Sequence, residues 1–161
     1  MSKADKNREK IISQLCGNMA SYCAYRERSG QDVRDKLYRK DTSPDIIEEV
    51  VKKLKEDGFI DDKRFAYAYA HDKFRLQKWG RVKIRQHLRM HKLDAKELES
   101  ALYEATPDEP YAEMLQELLV KKASLLKGEP PFKKKQKVTR FLLQRGFEGE
   151  LIREAIEEHM S

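Results

Sequence analysis

The segment KWGRVKIRQHLRMHKLDAKELESAL, residues 78–102, contains the pattern that decides the fold. Apolar residues recur at helical spacing on either side of a short polar break, at Ile84, Leu88, Leu98 and Leu102. Asp94, with Glu97 three residues later, forms a capping box, which marks the start of a new helix. The segment therefore predicts a short helix, a tight turn and a second helix.

The same spacing occurs three times along the chain. In each copy, four apolar residues are separated by steps of 4, 10 and 4 positions: Val33, Leu37, Ile47 and Val51; Ile84, Leu88, Leu98 and Leu102; Val138, Leu142, Ile152 and Ile156. A longer amphipathic segment precedes each pair, over residues 5–27, 62–77 and 108–127. We predict an all-α protein of three tandem three-helix, helix-turn-helix-like repeats at residues 1–60, 61–105 and 106–161. Because each repeat has little apolar surface, neighbouring repeats should pack on one another in an elongated, curved molecule.

Cap and turn residues support these divisions. Ser43, followed by Pro44, has the pattern of an N-cap and a first helical residue. Gly58 can end one helix in the left-handed conformation, and either Asp61 or Asp62 can begin the next. Glu148 takes the cap position of the third copy, where it is a poorer cap than Ser or Asp.

The composition describes a folded, soluble chain of 161 residues, 39% apolar and 39% charged. No apolar run approaches the roughly 18 residues that a membrane span needs, and the N-terminal segment lacks the apolar core of a signal peptide. We therefore expect a cytoplasmic protein with no membrane association. Cys16 and Cys23 are expected to be small buried thiols.

The net charge of +6 is concentrated in the middle of the chain. Residues 1–62 hold 13 basic and 13 acidic residues, residues 63–105 hold 11 and 5, and residues 106–161 hold 10 and 10. Such localisation favours a polyanion or an acidic protein surface as the partner.

A stripe of cations explains much of this excess. At about 100° per residue, Arg81, Arg85, Arg89 and Lys92 share an arc of about 80° beside the apolar face. With Lys78, they are candidate contacts to an anionic partner, because Arg suits bidentate recognition of phosphate or carboxylate. The alternative is a solvated helix face.

A second group of candidate contacts lies in the third copy, at Lys133, Lys137 and Arg140. Trp79 is either a packed residue of the turn between two helices or a residue that stacks on a base or anchors a partner. The three cations of the third copy could equally be ordinary solvated surface.

The sequence contains no recognisable catalytic motif. His87 and His91 are spaced i, i+4, but no third metal ligand is evident nearby. We expect no enzyme activity, no metal and no cofactor.

The segment GFIDDKRFAYAY at 58–69, followed by WGRVKIRQHLRMHKLD at 79–94, closely resembles the RecX family of bacterial RecA regulators. The matching positions of the first segment are Gly58, Phe59, Ile60, Asp61, Asp62, Phe65, Ala66 and Tyr69. RERSGQDVRDKL and GFEGELIREAI resemble the family more loosely, so the resemblance extends over residues 19–158. Glu148 departs from it, since a hydroxyl cap is more usual there.

The resemblance implies an all-helical crescent that binds the RecA nucleoprotein filament. Such a protein lies in the filament groove or caps filament growth, and it restrains the recombinase, ATPase and co-protease activities of RecA in DNA recombination, DNA repair and the SOS response. Affinity for single-stranded or double-stranded DNA is also implied. We expect a monomer, because no apolar helix is left over.

The alternative is an independent DNA-binding protein of helix-turn-helix type. Three-helix units with a basic second or third helix serve that purpose. Here the basic helix lacks an evident set of Asn or Gln residues for reading bases, so phosphate contacts are favoured.

Overall fold

The computed structural model describes residues 2–160, which form nine α-helices and no strand. The helices are α1 (Lys3–Tyr25), α2 (Gly30–Arg39), α3 (Pro44–Glu56), α4 (Asp62–Arg75), α5 (Arg81–Arg89), α6 (Ala95–Ala105), α7 (Asp108–Leu125), α8 (Pro131–Gln144) and α9 (Gly149–Met160). Consecutive triplets pack together, so α1–α3, α4–α6 and α7–α9 form the first, second and third repeats. The all-α class and the three three-helix repeats are confirmed. The predicted boundaries at 60/61 and 105/106 fall in the connections that precede α4 and α7.

The apolar spacing marks the core in every repeat. All twelve residues of the 4, 10, 4 pattern are buried, and Ile84 and Leu88 have no exposed surface. A side chain every three or four residues returns to the same face of a helix, which is why periodicity alone located these positions.

The turn between the second and third helices of each repeat contains one residue in the left-handed conformation. These residues are Asp41 with φ 58°, Lys92 with φ 52° and Gly146 with φ 96°. They are separated by 51 and 54 positions, the same offsets as the apolar pattern. The repeat therefore extends to the backbone conformation of the turn as well as to the core.

Two of the predicted helix starts have the expected N-caps. The Asp94 side chain accepts a hydrogen bond from the backbone N–H of Glu97, and Asp61 accepts one from Arg64. Ser43 is the N-cap of α3, although its side chain makes no capping hydrogen bond. Gly58 follows α3 with φ 80°, as predicted.

The repeats do not share one core. The first repeat has its own cluster of buried residues, which includes Cys23 and Ile60, whereas the second and third repeats share a continuous cluster from Phe65 to Ile156. Cys23 is buried as predicted, whereas Cys16 is only partly buried. Burial raises the pKa of both thiols. Between residues 2 and 160, none of the helices is long and apolar enough to cross a membrane.

Candidate anion-binding surface

Arg81 does not belong to an exposed stripe. Its side chain is 5% exposed and lies at the contact between the second and third repeats. Its Nε donates a hydrogen bond of 2.9 Å to Thr106 Oγ1, and its Nη2 donates to the Thr106 carbonyl and to Asp108. The guanidinium also lies over the Tyr103 and Tyr111 rings, 4.3 and 4.0 Å from their centroids. The prediction of Arg81 as a surface contact is therefore wrong, because every strong interaction of this cation is internal.

The third repeat supplies the opposite charge at this site. Glu148 Oε2 lies 3.7 Å from Arg81 Nη1, and Glu148 Oε1 accepts a hydrogen bond from the Tyr111 hydroxyl. The same hydroxyl accepts the backbone N–H of Arg81 at 2.9 Å. Burial, followed by the hydrogen bond to Glu148, raises the pKa of Tyr111 well above its ordinary value. Glu148 therefore stands where a hydroxyl cap was expected because its carboxylate completes this buried network.

Two glycines allow the second and third repeats to approach closely beside Arg81. The backbone N–H of Gly80 donates to the Arg145 carbonyl at 2.8 Å, and that of Val82 donates to the Gly146 carbonyl at 2.9 Å. A Cβ on Gly80 would overlap the Gly146 backbone, and one on Gly146 would overlap Lys83. The junction is thus a direct backbone contact, which only glycine permits at these two positions.

Arg85 and Lys78 are each engaged by a carboxylate. Arg85 Nε donates to both oxygens of Glu99, at 2.9 and 3.0 Å, and its side chain is 19% exposed. Burial lowers the pKa of Arg85, but the hydrogen bond and charge of Glu99 outweigh it and raise the pKa overall. Lys78 lies 3.8 Å from Glu117, a partly exposed pair that a competing anion can displace.

Arg89 and Lys92 are the freely presented cations of the predicted stripe. Both are exposed, and neither makes an ion pair within the described part of the chain. Arg89 ends α5, and Lys92 occupies the left-handed position of the following turn. These two residues are therefore available to a partner, and their role in such a contact stays a prediction.

Trp79 is packed and surrounded by positive charge. Its half-buried ring packs against the shared core and lies 4.8 Å from the His87 ring. The ammonium groups of Lys73 and Lys83 lie 4.8 and 4.4 Å from the indole ring. The packing interpretation is supported, and a role for Trp79 in partner contact stays a prediction.

The three cations predicted in the third repeat differ in their surroundings. Lys137 donates to Glu129 at 2.6 Å, which partly neutralises it. Lys133 and Arg140 are exposed and make no ion pair among residues 2–160. Lys133 and Arg140 therefore join Arg89 and Lys92 as the predicted contact residues that are exposed and unpaired within the described part of the chain.

The residues that join the first and second repeats were not predicted. Ser29 is fully buried, and its hydroxyl lies 2.8 Å from Nδ1 of His91. The backbone N–H of Gly30 donates to Asp62 at 2.8 Å, and Arg64 pairs with Glu27 at 2.9 Å. Ser29 precedes Gly80 by 51 positions. Ser29 and Gly80 therefore occupy equivalent positions at the two contacts between repeats. The offset of 51 positions that relates them was visible in the sequence.

Comparisons with known proteins match the whole three-repeat arrangement. The models of the first, second and third three-helix domains of RecX match residues 20–54, 61–102 and 109–156, respectively. A protein named regulatory protein RecX from Prosthecochloris aestuarii is 31% identical over 155 residues, which is 96% of this chain and 97% of the relative.

Other relatives are longer. A regulatory protein RecX from Limosilactobacillus reuteri is 32% identical over 129 residues, which is 80% of this chain but 48% of the relative. This chain likewise spans about half the length of its relatives from Oceanobacillus iheyensis and Bacillus cytotoxicus.

Two crystal structures have the same fold. One, described as regulatory protein RecX, has a TM-score of 0.84 and 27% identity, covering 96% of this chain and 75% of that one. The other, RecX from Lactobacillus salivarius, also has a TM-score of 0.84, with 26% identity, and covers 93% of this chain and 97% of that one.

Proposed function

The chain belongs to the RecX family, and from that membership we propose that it binds the RecA nucleoprotein filament and restrains RecA recombinase, ATPase and co-protease activities. The observation that carries the proposal is the match of three RecX domains in order along the chain. The named relatives are regulatory proteins, which favours a role without catalysis. The setting would be the cytoplasm, in DNA recombination, repair and the SOS response.

The exposed cations support a filament as the partner. Arg89 and Lys92 lie within residues 63–105, which carry a net charge of +6. A nucleoprotein filament carries a dense row of phosphates and acidic protein surface, so unpaired cations on rigid elements are suited to attract it. Arg140 and Lys133 would extend the contact along the third repeat. Direct contact with single-stranded or double-stranded DNA is part of this proposal.

Burial of Arg81 favours phosphate or protein contact over base reading. In the helix-turn-helix alternative, residues near the start of α5 would reach base edges in the major groove. Arg81 at that end is enclosed and Arg85 is paired with Glu99, so the exposed cations of the stripe, Arg89 and Lys92, lie at the opposite end. An independent sequence-specific DNA-binding protein is therefore the less favoured function.

The decisive experiment measures RecA ATP hydrolysis with saturating single-stranded DNA at low salt, while the protein is titrated from substoichiometric to equimolar amounts. We expect inhibition, together with co-sedimentation of the protein with the filament. Unchanged ATP hydrolysis across the titration, with no co-sedimentation, would contradict the proposed function.

Charge reversal tests the surface. The double variant R89E with K92E should weaken co-sedimentation roughly tenfold at low salt and flatten its salt dependence, because two cations no longer displace counterions. Lys10 and Lys52 are exposed residues of the first repeat and lie within residues 1–62, a segment with no net charge. The control variant K10E with K52E changes the total charge equally and should bind nearly as the unaltered protein does. Equal losses in both variants would indicate a general charge effect instead of a defined surface.

A further inference from the structure

Helix α8 has a second face with helical spacing, directed away from the core. Val138 and Leu142 are fully buried on the inner face. On the outer face, four uncharged residues follow one another at steps of 4, 3 and 4 positions, namely Phe132, Gln136, Thr139 and Leu143. We call these four residues the outer strip. The steps are those of a seam between two packed helices.

The apolar ends of the outer strip are open to solvent. Phe132 is 72% exposed and Leu143 is 51% exposed. The middle is neutral and polar, and the Thr139 hydroxyl already donates to the Lys135 carbonyl at 2.8 Å. Together with neighbouring side chains, the outer strip lines one shallow, open depression on the protein surface. Two exposed apolar residues about three turns apart can thus anchor the two ends of one partner segment.

Cations border the outer strip on both sides. At about 100° per residue, Lys135 falls on one flank, while Lys133 and Arg140 fall on the other. No acidic residue occurs between Pro131 and Gln144. A partner that covers the strip must therefore bring negative charge to both of its edges.

We propose that the outer strip is a docking site for an acidic amphipathic α-helix of a partner protein. Such a helix would place apolar side chains between Phe132 and Leu143, and it would place Glu or Asp beside Lys135 and Arg140. Helices that dock in this manner carry apolar anchors at steps of three and four residues, which match the spacing of the strip. The inference goes beyond the proposed function, since it defines a partner by its chemistry and does not require that partner to be RecA.

Nucleic acid fits the outer strip less well. A single-strand platform stacks successive bases on aromatic rings, whereas the strip offers one ring, that of Phe132. A phosphate backbone would engage the flanking cations but would leave Leu143 uncovered in water. The paired apolar ends therefore favour a protein helix.

The test uses the full-length chain, labelled with ¹⁵N, and a synthetic helical peptide. The peptide carries Leu at steps of four and three residues and Glu at the flanking positions. A second peptide has Lys in place of each Glu, and an oligothymidylate serves as the nucleic-acid probe. We expect the Glu peptide to bind saturably and to shift the backbone amides of the outer strip, and the Lys peptide to bind at least tenfold more weakly.

Variants separate the apolar and the electrostatic parts of the site. F132A with L143A should weaken binding of the Glu peptide at least fivefold, and K135E with R140E should reverse the preference between the two peptides. Val120 and Leu125 of α7 are similarly exposed apolar residues, so V120A with L125A is the matched control and should leave binding unchanged.

The inference is overturned by any of three results: absence of saturable binding of the Glu peptide, equal losses in F132A/L143A and V120A/L125A, or an effect of F132A/L143A on oligothymidylate alone. The last result would assign the strip to nucleic acid. The assay contains neither RecA nor its filament, so failure here leaves the outcome of the ATPase experiment separate.

Discussion

Arg81→Ala is expected to destabilise the protein, whereas Arg89→Ala should not, although both residues belong to the predicted stripe of cations. The two residues share a helix and a charge, but the Arg81 side chain is buried and Arg89 is a solvated surface residue. The comparison therefore isolates the effect of burial from the effect of charge.

The magnitude follows from the contacts that Arg81 makes. Loss of its guanidinium leaves the buried Thr106 carbonyl without that donor, which costs about 1–3 kcal/mol. Loss of the cation from the Tyr103 and Tyr111 rings costs about 1–2 kcal/mol more, because the site excludes water. The ion pair with Asp108 adds little, since that carboxylate is 93% exposed. The free energy of unfolding should fall by about 2–5 kcal/mol in total, a range that overlaps the cost of breaking a buried ion pair.

Thermal unfolding followed by circular dichroism at 222 nm measures the effect. For a chain of this size, 1 kcal/mol corresponds to about 2–4 °C, so Arg81→Ala should lower the Tm by roughly 10 °C. Arg89→Ala should change the free energy of unfolding by less than about 0.5 kcal/mol. An Arg81→Ala protein with an unaltered Tm but weaker filament association would refute the structural role and restore Arg81 to the binding surface.

Three further outcomes are expected. Leu88→Ala removes a fully buried side chain from the shared core and should cost about 2–5 kcal/mol in urea denaturation; a smaller loss would show that the site can collapse around the gap. Gly146→Ala should cost well over about 1 kcal/mol in the same assay, because a left-handed residue gains a Cβ that overlaps Lys83. Gly128 has a similar φ of 95° but open space around it, so Gly128→Ala should cost only about 1 kcal/mol. Equal costs would mean that the close approach of the two repeats at Gly146 is unimportant. Because the pKa of Tyr111 is raised in the folded state, its contribution to stability is complete below the ordinary pKa of 10.0 and declines as the pH rises above that value. The urea midpoint should therefore fall more steeply above pH 10.0 for the unaltered protein than for Tyr111→Phe. Parallel declines would count against the burial of this hydroxyl.

The helices and their core faces were predictable because they depend on local properties. Periodicity located all twelve core positions of the repeat, and Asp94 correctly marked where α6 begins. Of the two candidates for the start of α4, Asp61 is the N-cap. A helix places residues three or four apart on one side whatever it packs against, so the spacing is visible in the chain itself.

The candidate surface was predictable only in part. Spacing placed Arg81, Arg85 and Arg89 on one arc, but it could not show what lay opposite each of them. Arg89 extends into solvent, Arg85 meets Glu99 from the following helix, and Arg81 meets Glu148 from another repeat. The partner-binding roles proposed for Lys78, Trp79 and the third-repeat cations likewise remain predictions.

The sequence by itself determined the helical class, the threefold repeat and the family of this protein, because neighbours within a few residues fix helix periodicity, caps and turns. Only the tertiary structure decided which cations are available to a partner. Glu148 follows Arg81 by 67 positions, and the contact between the second and third repeats brings the two charges together. Burial of a charge depends on groups brought together from distant parts of the chain, and that information is absent from any local pattern.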